Sequence, residues 1–339
     1  MVNWQRQCFS YHPIIGRWFI PRLNALIPHE RGSYRVRTNS LGMRANREYN
    51  HQKPSGIRRL ILLGNSYTAG DGVNNEERFS DLIEKSDSSL EVLNFGLPNS
   101  GTDQQYLVYK TLAKEFETDA YIFTPLIENI GRNKCRYRLA TDRMTGEVYH
   151  VPKPYYKLDN NLVLHHQPVP RKQILTRIAP LDVIRHTDFV GKKYQLRSFI
   201  NKYLPFLKPH LLRWIKRHPY PDYINPDQMG WKLMSAILQQ FIKYADVGKP
   251  IFIIPLPTYH YIESNLPPIY LKRFREIESK LEDVYVCDLL PYFHRLSLKD
   301  RRACRFQHDV HYSPYGHQIV ADAIYQEIER KLPNFWNIV

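Results

Sequence analysis

The clearest indication of the fold is the stretch RLILLGNSYTAG, residues 59–70. An apolar run long enough for one buried strand ends at Gly64 and is followed by Ser66 and small residues. A continuous Leu/Ile run between turn signals is typical of a strand covered on both faces, as in a parallel sheet. The turn after such a strand lies at the carboxyl end of the sheet, where open α/β folds bind ligands. Ser66 is therefore a candidate nucleophile, although most such turns are only turns.

Short strands and helices alternate along most of the chain. The predicted elements are strands at Arg58–Leu63, Glu91–Asn94, Tyr121–Phe123, Ile251–Pro255 and Val284–Val286, and helices near Arg78–Lys85, Gln104–Phe116, Trp231–Tyr244 and Ile269–Leu281. Ser313 and Pro314 supply the cap and the first position of a last helix. Strands separated by helices in short steps indicate βαβ units and an α/β fold with a parallel sheet.

Two segments fall outside this alternation. Residues 1–55 contain many turn formers and little periodicity, so we expect an N-terminal arm that wraps the domain. Residues 132–229 are expected to form a basic insertion, a lid or subdomain between the two parts of the α/β domain, 56–131 and 230–339. A hairpin of residues 149–156 and 158–165 opens this insertion, and short helices interrupted by prolines follow it.

The positive charge of the chain is concentrated in the insertion. The net charge is +15, and Arg132 to Tyr220 contains 19 Lys or Arg against 5 Asp or Glu. Such a patch attracts anions, whether glycan, phosphate, nucleic acid or membrane surface. We expect the insertion to overhang the carboxyl ends of the strands, so that its positive field reaches Ser66 and favours an acidic substrate.

Composition limits the class of protein. A chain of 339 residues with 43% hydrophobic residues can build a large core and is not disordered. No apolar run approaches the roughly eighteen residues of a membrane span, and the first residues lack the apolar region of a signal peptide. Four scattered cysteines without zinc spacing favour reduced thiols. We therefore expect a cytoplasmic protein.

Cofactor and nucleic-acid motifs are absent from the sequence. It contains neither a phosphate-binding loop motif nor a dinucleotide fingerprint. His165 and His166 lack ligand partners at metal-binding spacing, which favours a surface hairpin over a metal site. Arg136-Tyr137-Arg138 and Lys192-Lys193-Tyr194 resemble nucleic-acid surfaces in composition only. No cofactor, metal or nucleic-acid partner is expected.

A second chemical motif precedes the last helix, at HDVHY, residues 308–312. A serine needs a neighbouring base to take its proton, and histidine is the usual one. A carboxylate fixes the tautomer of that histidine. His311 and Asp309 are two apart, so both can face one cleft. The alternative interpretation is an ordinary helix-entry loop with an acidic residue.

Taken together, these motifs resemble the SGNH/GDSL hydrolase superfamily. Its four blocks resemble Gly64-Asn65-Ser66 with Gly70 and Gly72, Asn94-Phe95-Gly96 through Gly101, Glu128-Asn129, and Asp309-Val310-His311 with the SPYGH that follows. NSLGMR at 39–44 is similar to a lead-in of bacterial members near surface-polysaccharide genes. The resemblance covers roughly residues 35–130 and 230–332.

The resemblance implies a flavodoxin-like three-layer sandwich with a central parallel sheet, and ester hydrolysis or acyl transfer as the chemistry. It assigns Ser66 as nucleophile, His311 as general base and Asp309 as the partner that orients it. The implied oxyanion donors are the Ser66 N–H, a backbone N–H of the second block, and the Asn129 amide. The second-block donor falls on Asn99 or, with a shifted register, on Gly101.

Two further residues depart from the family pattern. Asn65 replaces the usual aspartate, and Glu128 precedes Asn129 where the family has glycine. A carboxylate beside a developing oxyanion would repel it. We expect Asn129 to face the site and Glu128 to turn away toward Arg132, because neighbours in an extended chain alternate sides.

The sequence thus predicts a serine esterase or acyltransferase that acts on a small-molecule or glycan acyl ester. A carbohydrate O-acyl group on an acidic substrate is the expected target. The alternative is a catalytically silent protein of the same fold that binds an anionic glycan, lipid surface or nucleic acid through the basic insertion.

Overall fold

The computed structural model describes residues 8–141, 148–159, 161, 163–169, 176–178 and 219–337. Its strands are β1 (Phe9–His12), β2 (Gly16–Phe19), β3 (Asn24–His29), β4 (Gly32–Arg37), β5 (Arg58–Gly64), β6 (Leu90–Asn94), β7 (Ala120–Thr124), β8 (Tyr137–Thr141), β9 (Val148–Pro152), β10 (Tyr155–Leu158), β11 (Leu164–Gln167), β12 (Thr176–Ile178), β13 (Ile251–Ile253) and β14 (Val284–Val286). Its helices are α1 (Ser66–Ala69), α2 (Phe79–Ser86), α3 (Thr102–Thr111), α4 (Asn129–Arg132), α5 (Met229–Tyr244), α6 (Tyr259–Ile262), α7 (Ile269–Glu278), α8 (Leu290–His294), α9 (Leu298–Ala303) and α10 (Pro314–Lys331).

A five-stranded parallel sheet forms the centre, in the order β14-β13-β7-β5-β6. The step from β5 to β6 and the step from β6 to β7 run in opposite directions. Right-handed crossovers therefore place α2 and α3 on opposite faces. Accordingly, α2 packs against α10, and α3 packs against α5. The expected flavodoxin-like sandwich is confirmed, and its topological switch point lies between β5 and β7.

The N-terminal arm is more ordered than its sequence suggests. It forms two antiparallel hairpins, β1–β2 and β3–β4. Tyr34 and Val36 alternate with exposed neighbours in β4 and are buried with Ile27, Phe19 and Cys8 in a small second core. The strands are too short for this alternation to stand out in the sequence.

The first hairpin of the insertion differs from the prediction. β10 pairs with β11, whereas β9 pairs with β8 and β12. Lys153-Pro154 separates β9 from β10, so residues 149–156 cannot form one strand. The turn between β10 and β11 lies where the sequence predicts a turn. Asp159 Oδ1 stabilises it by accepting the N–H groups of Asn161 and Val163, both at 2.9 Å. The helices expected near residues 204–214 lie outside the described residues, and the three-segment division stays a prediction.

Other differences concern element ends. The helix predicted over 104–116 ends at Thr111 and is followed by a separate 3-10 turn, Ala113–Glu115, and β13 ends two residues before Pro255. Within the described ranges, no helix combines the length and the apolar character of a membrane span. Each of the four cysteines is a thiol.

Candidate active site

Ser66 lies at the switch point, on the one-turn helix that follows β5. Asn65 caps this helix, because its Oδ1 accepts the N–H of Tyr67 at 3.0 Å. A Cβ on Gly64 would lie 1.9 Å from Thr68 Oγ1, so only glycine allows this close return of the chain. The serine is thereby held at the carboxyl end of the sheet, where the sequence predicted it.

Arg44 holds the far end of the same short helix. Its side chain is buried, and its Nη1 donates to the carbonyls of Ala69 and Gly70, each at 2.7 Å. Its Nε donates to Asn75 Oδ1 at 2.8 Å, and its Nη2 donates to the Val73 carbonyl. The loop at residues 39–44 therefore stabilises the end of the short helix that carries Ser66. Its turn-like composition does not reveal this role.

The structure brings Ser66, His311 and Asp309 together. Ser66 Oγ lies 2.8 Å from His311 Nε2, and His311 Nδ1 lies 2.6 Å from Asp309 Oδ1. An ionised carboxylate can only accept, so Nδ1 carries a proton and the neutral ring leaves Nε2 free to accept the serine proton. This is the hydrogen-bond chain that activates a serine.

The loop that carries His311 is fixed from two sides. Tyr67, which follows the serine, donates its hydroxyl to the Val310 carbonyl at 2.7 Å. Glu30, at the tip of the β3–β4 hairpin, accepts the N–H groups of Gln307 and His308 at 2.6 and 2.7 Å. The N-terminal arm thus helps to shape the site rather than only wrapping the domain.

His29 makes a further contact that sequence reasoning missed. Its Nε2 lies 3.3 Å from Asp309 Oδ2, on the carboxylate oxygen that His311 does not use. Its ring packs edge-on against Phe306 and Tyr34. No local motif marks His29, because the two hydrogen-bonded residues are 280 positions apart.

The surroundings of Asp309 and His311 stabilise the charged form of each, which makes His311 a stronger base. Burial raises the pKa of Asp309, but hydrogen bonds from His311 and His29 outweigh it and hold that pKa well below its usual range. Burial lowers the pKa of His311, but the hydrogen bond to Asp309 and the charges of Asp71 and Asp309 outweigh it, so the pKa is raised. Arg132 acts in the opposite direction on His311.

Two backbone N–H groups of cleft residues lack hydrogen-bond partners in the described part of the chain. Within the described residues, the N–H groups of Ser66 and Asn99 make no hydrogen bond. Asn99 lines the same cleft as Ser66 and has φ +52°, a conformation that glycine adopts easily and asparagine tolerates. Gly101 instead packs against Asp103 and Asn133 and is the N-cap of α3. Of the two predicted registers, the structure places Asn99 in the cleft.

Asn129 is buried and oriented by its neighbour Asn65. Asn65 Oδ1 accepts from Tyr67, so its Nδ2 is the atom that donates to Asn129 Oδ1, at 3.2 Å. This fixes the Asn129 amide and leaves its buried Nδ2 without a hydrogen-bond partner among the described residues. The Glu128 side chain is 46% exposed and lies 3.8 Å from Arg132. Glu128 turns away as predicted, but the reason was wrong, because residues 129–132 form a helical turn and not an extended chain.

Ser66, His311, Asp309 and Asn99 line one cleft of about 310 Å³, and Asn129 lies outside its lining. Besides Ser66, Asn99, His311 and Asp309, its walls include His29, Tyr34, Asp71, Arg17 and Arg132. The volume lies at the lower end of the range for small-molecule pockets. Among the described residues of the insertion, Arg132 is the one that lines the cleft.

The insertion is anchored beside the cleft through a buried ion pair. Lys153 donates to Asp103, which lies in the first turn of α3, just after the loop of Asn99. Pro154 packs against Gly16 of β2. These contacts hold the described part of the insertion near the carboxyl end of β6.

Two histidines outside the triad, His165 and His317, have structural contacts. His165 lies 2.8 Å from Asp159 within the β10–β11 hairpin. His317 is buried and accepts the Phe79 N–H at 3.2 Å, and burial, followed by the charges of Arg78 and Arg44, lowers its pKa to about 3. The described residues contain no group of three or more metal-binding side chains.

Comparisons with known proteins find similar folds only. No family model and no curated protein matches the chain. It is similar to a solved member of the lipolytic protein G-D-S-L family from Veillonella parvula DSM 2008, at 12% identity over 81% of this chain and 100% of that one, with a TM-score of 0.40. It is also similar to the lipase/acylhydrolase from Enterococcus faecalis (14% identity, 81% and 96% coverage, TM-score 0.37). A third structure is AlinE4, an SGNH-hydrolase family esterase (11% identity, 83% and 100% coverage, TM-score 0.37).

Proposed function

We propose that this protein is a serine esterase or acyltransferase of SGNH type. The observation that carries the proposal is the hydrogen-bond chain from Ser66 through His311 to Asp309. It joins two segments that are 245 positions apart in the chain, at a fold position where ligands bind. An ordinary helix-entry loop has no need to meet a serine at the carboxyl end of the sheet.

The reaction follows from these contacts. Ser66 Oγ attacks the ester carbonyl carbon while its proton passes to His311 Nε2. The C–O bond to the alcohol then breaks, and His311 returns the proton to the leaving oxygen. Water, or a hydroxyl of a sugar, then attacks the acyl-enzyme while His311 Nε2 takes its proton. The bond from the acyl carbon to Ser66 Oγ breaks, and His311 returns the proton to the serine. Asp309 holds the His311 ring in the required tautomer and stabilises the imidazolium.

Three donors are available for the oxyanion: the N–H groups of Ser66 and Asn99 and the Nδ2 of Asn129. A buried donor without a partner is rare in folded proteins, and Asn129 Nδ2 is such a donor. The negative oxygen of the tetrahedral intermediate would satisfy it. We therefore assign Asn129 to the oxyanion site and Gly101 to the start of α3.

Replacing Asn129 by alanine should lower kcat by about 10²–10³-fold, the usual cost of one oxyanion donor. Steady-state hydrolysis of 4-nitrophenyl acetate measures the effect. Glu128→Gln is the matched control, because its side chain is exposed and turns away; it should change kcat far less. If Glu128→Gln had the larger effect, the oxyanion site would be built differently.

We further propose that the ester is an O-acyl group of an acidic carbohydrate. The positive charge of the insertion and Arg132 in the cleft support an anionic substrate. The cleft is large enough for a small ligand, such as one unit of a glycan. The four thiols are typical of a reducing compartment and support a cytoplasmic location.

A fluorophosphonate probe, which reacts with activated serines, tests the proposed nucleophile. We expect peptide mapping by mass spectrometry to find the label on Ser66. His311→Ala should abolish labelling, because the serine then has no base, and circular dichroism would confirm that the variant is folded. A label on a different serine, or none on the folded wild-type protein, would contradict the proposal.

A further inference from the structure

Arg17 is a buried cation in the wall of the cleft. It lies on β2 of the N-terminal arm, and only 5% of its surface is exposed. It lines the cleft together with Ser66 and His311. Its Nη2 donates to the Pro98 carbonyl, and its guanidinium lies 4.3 Å from the centre of the Phe9 ring.

Its charge has no direct counterion in the described part of the chain. None of the ion pairs there includes Arg17, and its Nε is buried without a hydrogen-bond partner. A guanidinium cannot lose its proton in a protein, so the charge has to be accommodated. Burying an unpaired charge is costly, and a site that retains one next to a nucleophile is prepared for an anion.

The two carboxylates of the cleft are poor partners for it. Asp309 is engaged by both His311 and His29. Asp71 lies in the same cleft and its charge acts on Arg17, but the two form no direct ion pair in the described residues. Arg132 adds a second positive charge, although it also contacts Ser100 and Glu128.

We propose that Arg17 binds an anionic oxygen group, a carboxylate or a sulfate, on the alcohol part of the substrate. The planar guanidinium has donors arranged to match such groups. This inference rests on the proposed esterase activity and specifies it. It places selection for an acidic substrate on a residue of the N-terminal arm in the same cleft as Ser66, in addition to the field of the insertion.

Matched substrates test the inference through a ratio of rates. The probes are 4-acetoxybenzoate and 4-acetoxybenzenesulfonate, each compared with neutral methyl 4-acetoxybenzoate. We expect the ratio of kcat/KM, anionic over neutral, to fall by about 10–100-fold in Arg17→Ala, the usual effect of losing a charge-assisted hydrogen bond. Comparison of the carboxylate substrate with the sulfonate substrate shows which anion is preferred.

Two variants separate this role from a structural one. Arg17 also supports the Pro98 carbonyl, so its loss can slow all substrates, but a structural effect would leave the ratio unchanged. Asp71→Asn removes a negative charge from the cleft and should raise the ratio. Arg22→Ala removes the same charge as Arg17→Ala from an exposed position of the arm and should leave the ratio unaltered. An unchanged ratio in Arg17→Ala, or an equal fall in Arg22→Ala, would overturn the inference.

A binding measurement distinguishes this inference from the proposed activity. In Ser66→Ala protein, calorimetry should show that 4-acetoxybenzoate binds at least about tenfold more tightly than its methyl ester. Adding Arg17→Ala should remove the difference. If 4-acetoxybenzoate binds more tightly than its methyl ester but the wild-type protein hydrolyses neither, the esterase proposal is refuted and the anion site is supported. If the wild-type protein hydrolyses both esters but the Ser66→Ala protein binds them equally tightly, the anion site is refuted and the esterase proposal is supported.

Discussion

Replacing Ser66 by alanine is expected to lower hydrolysis of 4-nitrophenyl acetate by about 10⁴–10⁶-fold. The variant keeps the donors of the oxyanion site but has no atom that can form the acyl-enzyme. The fold should survive, because the change removes one hydroxyl at the edge of the cleft, worth roughly 1 kcal/mol of stability. Initial rates, corrected for the uncatalysed reaction, measure the loss, and urea unfolding measures stability.

Ser235→Ala is a suitable control, since this serine lies on α5 and, among the described residues, its hydroxyl hydrogen-bonds only with Gln239 of the same helix. Its turnover should equal that of the wild type. A folded Ser66→Ala protein with undiminished turnover would refute the assigned nucleophile. A folded wild-type protein that cleaves no ester but binds anions would favour the catalytically silent alternative.

Replacing Asp309 by asparagine should lower kcat/KM by about 10⁴-fold. The asparagine amide can donate to His311 Nδ1, which would move the ring proton to Nε2, where it faces Ser66. The serine would then have no acceptor for its proton. Single-turnover measurements with 4-nitrophenyl acetate would show slow acylation.

The pH profile gives an independent test of this pair. His311 acts as a base only when neutral, so kcat/KM should fall as the pH falls through the His311 pKa. That pKa is raised above 6.5, and the acid limb should lie correspondingly high. In Asp309→Asn the limb should move to lower pH, because a hydrogen-bond acceptor and a negative charge are lost, while Asp71 and Arg132 remain. An acid limb at the same pH in both proteins would show that His311 is not the group that titrates.

The parts of the site that local sequence encodes were predictable. The apolar run before Gly64 predicts β5, and its end predicts the position of Ser66. Asp309 and His311 lie two residues apart beside a recognisable helix cap, so their contact needs no knowledge of the rest of the fold. The triad could therefore be proposed from short motifs in order.

The supporting residues could not be found in this way. Arg17, His29 and Glu30 belong to short hairpins, and each contacts the site through partners that are far away in the sequence. No local sequence pattern marks these contacts, because they depend on how the N-terminal arm packs against the folded α/β domain. The choice between Asn99 and Gly101 likewise required backbone angles, which composition alone does not provide.

The long chain separation between Ser66 and His311 has a consequence for the protein during its synthesis. Ribosomes add about 5–20 residues per second, so the 245 positions between them take roughly 10–50 s to translate. Throughout that interval the serine has been made but has no base. In a nascent or truncated chain the Ser66 hydroxyl is therefore not activated. Hydrolysis becomes possible only when α10 and the loop that carries His311 pack against the sheet.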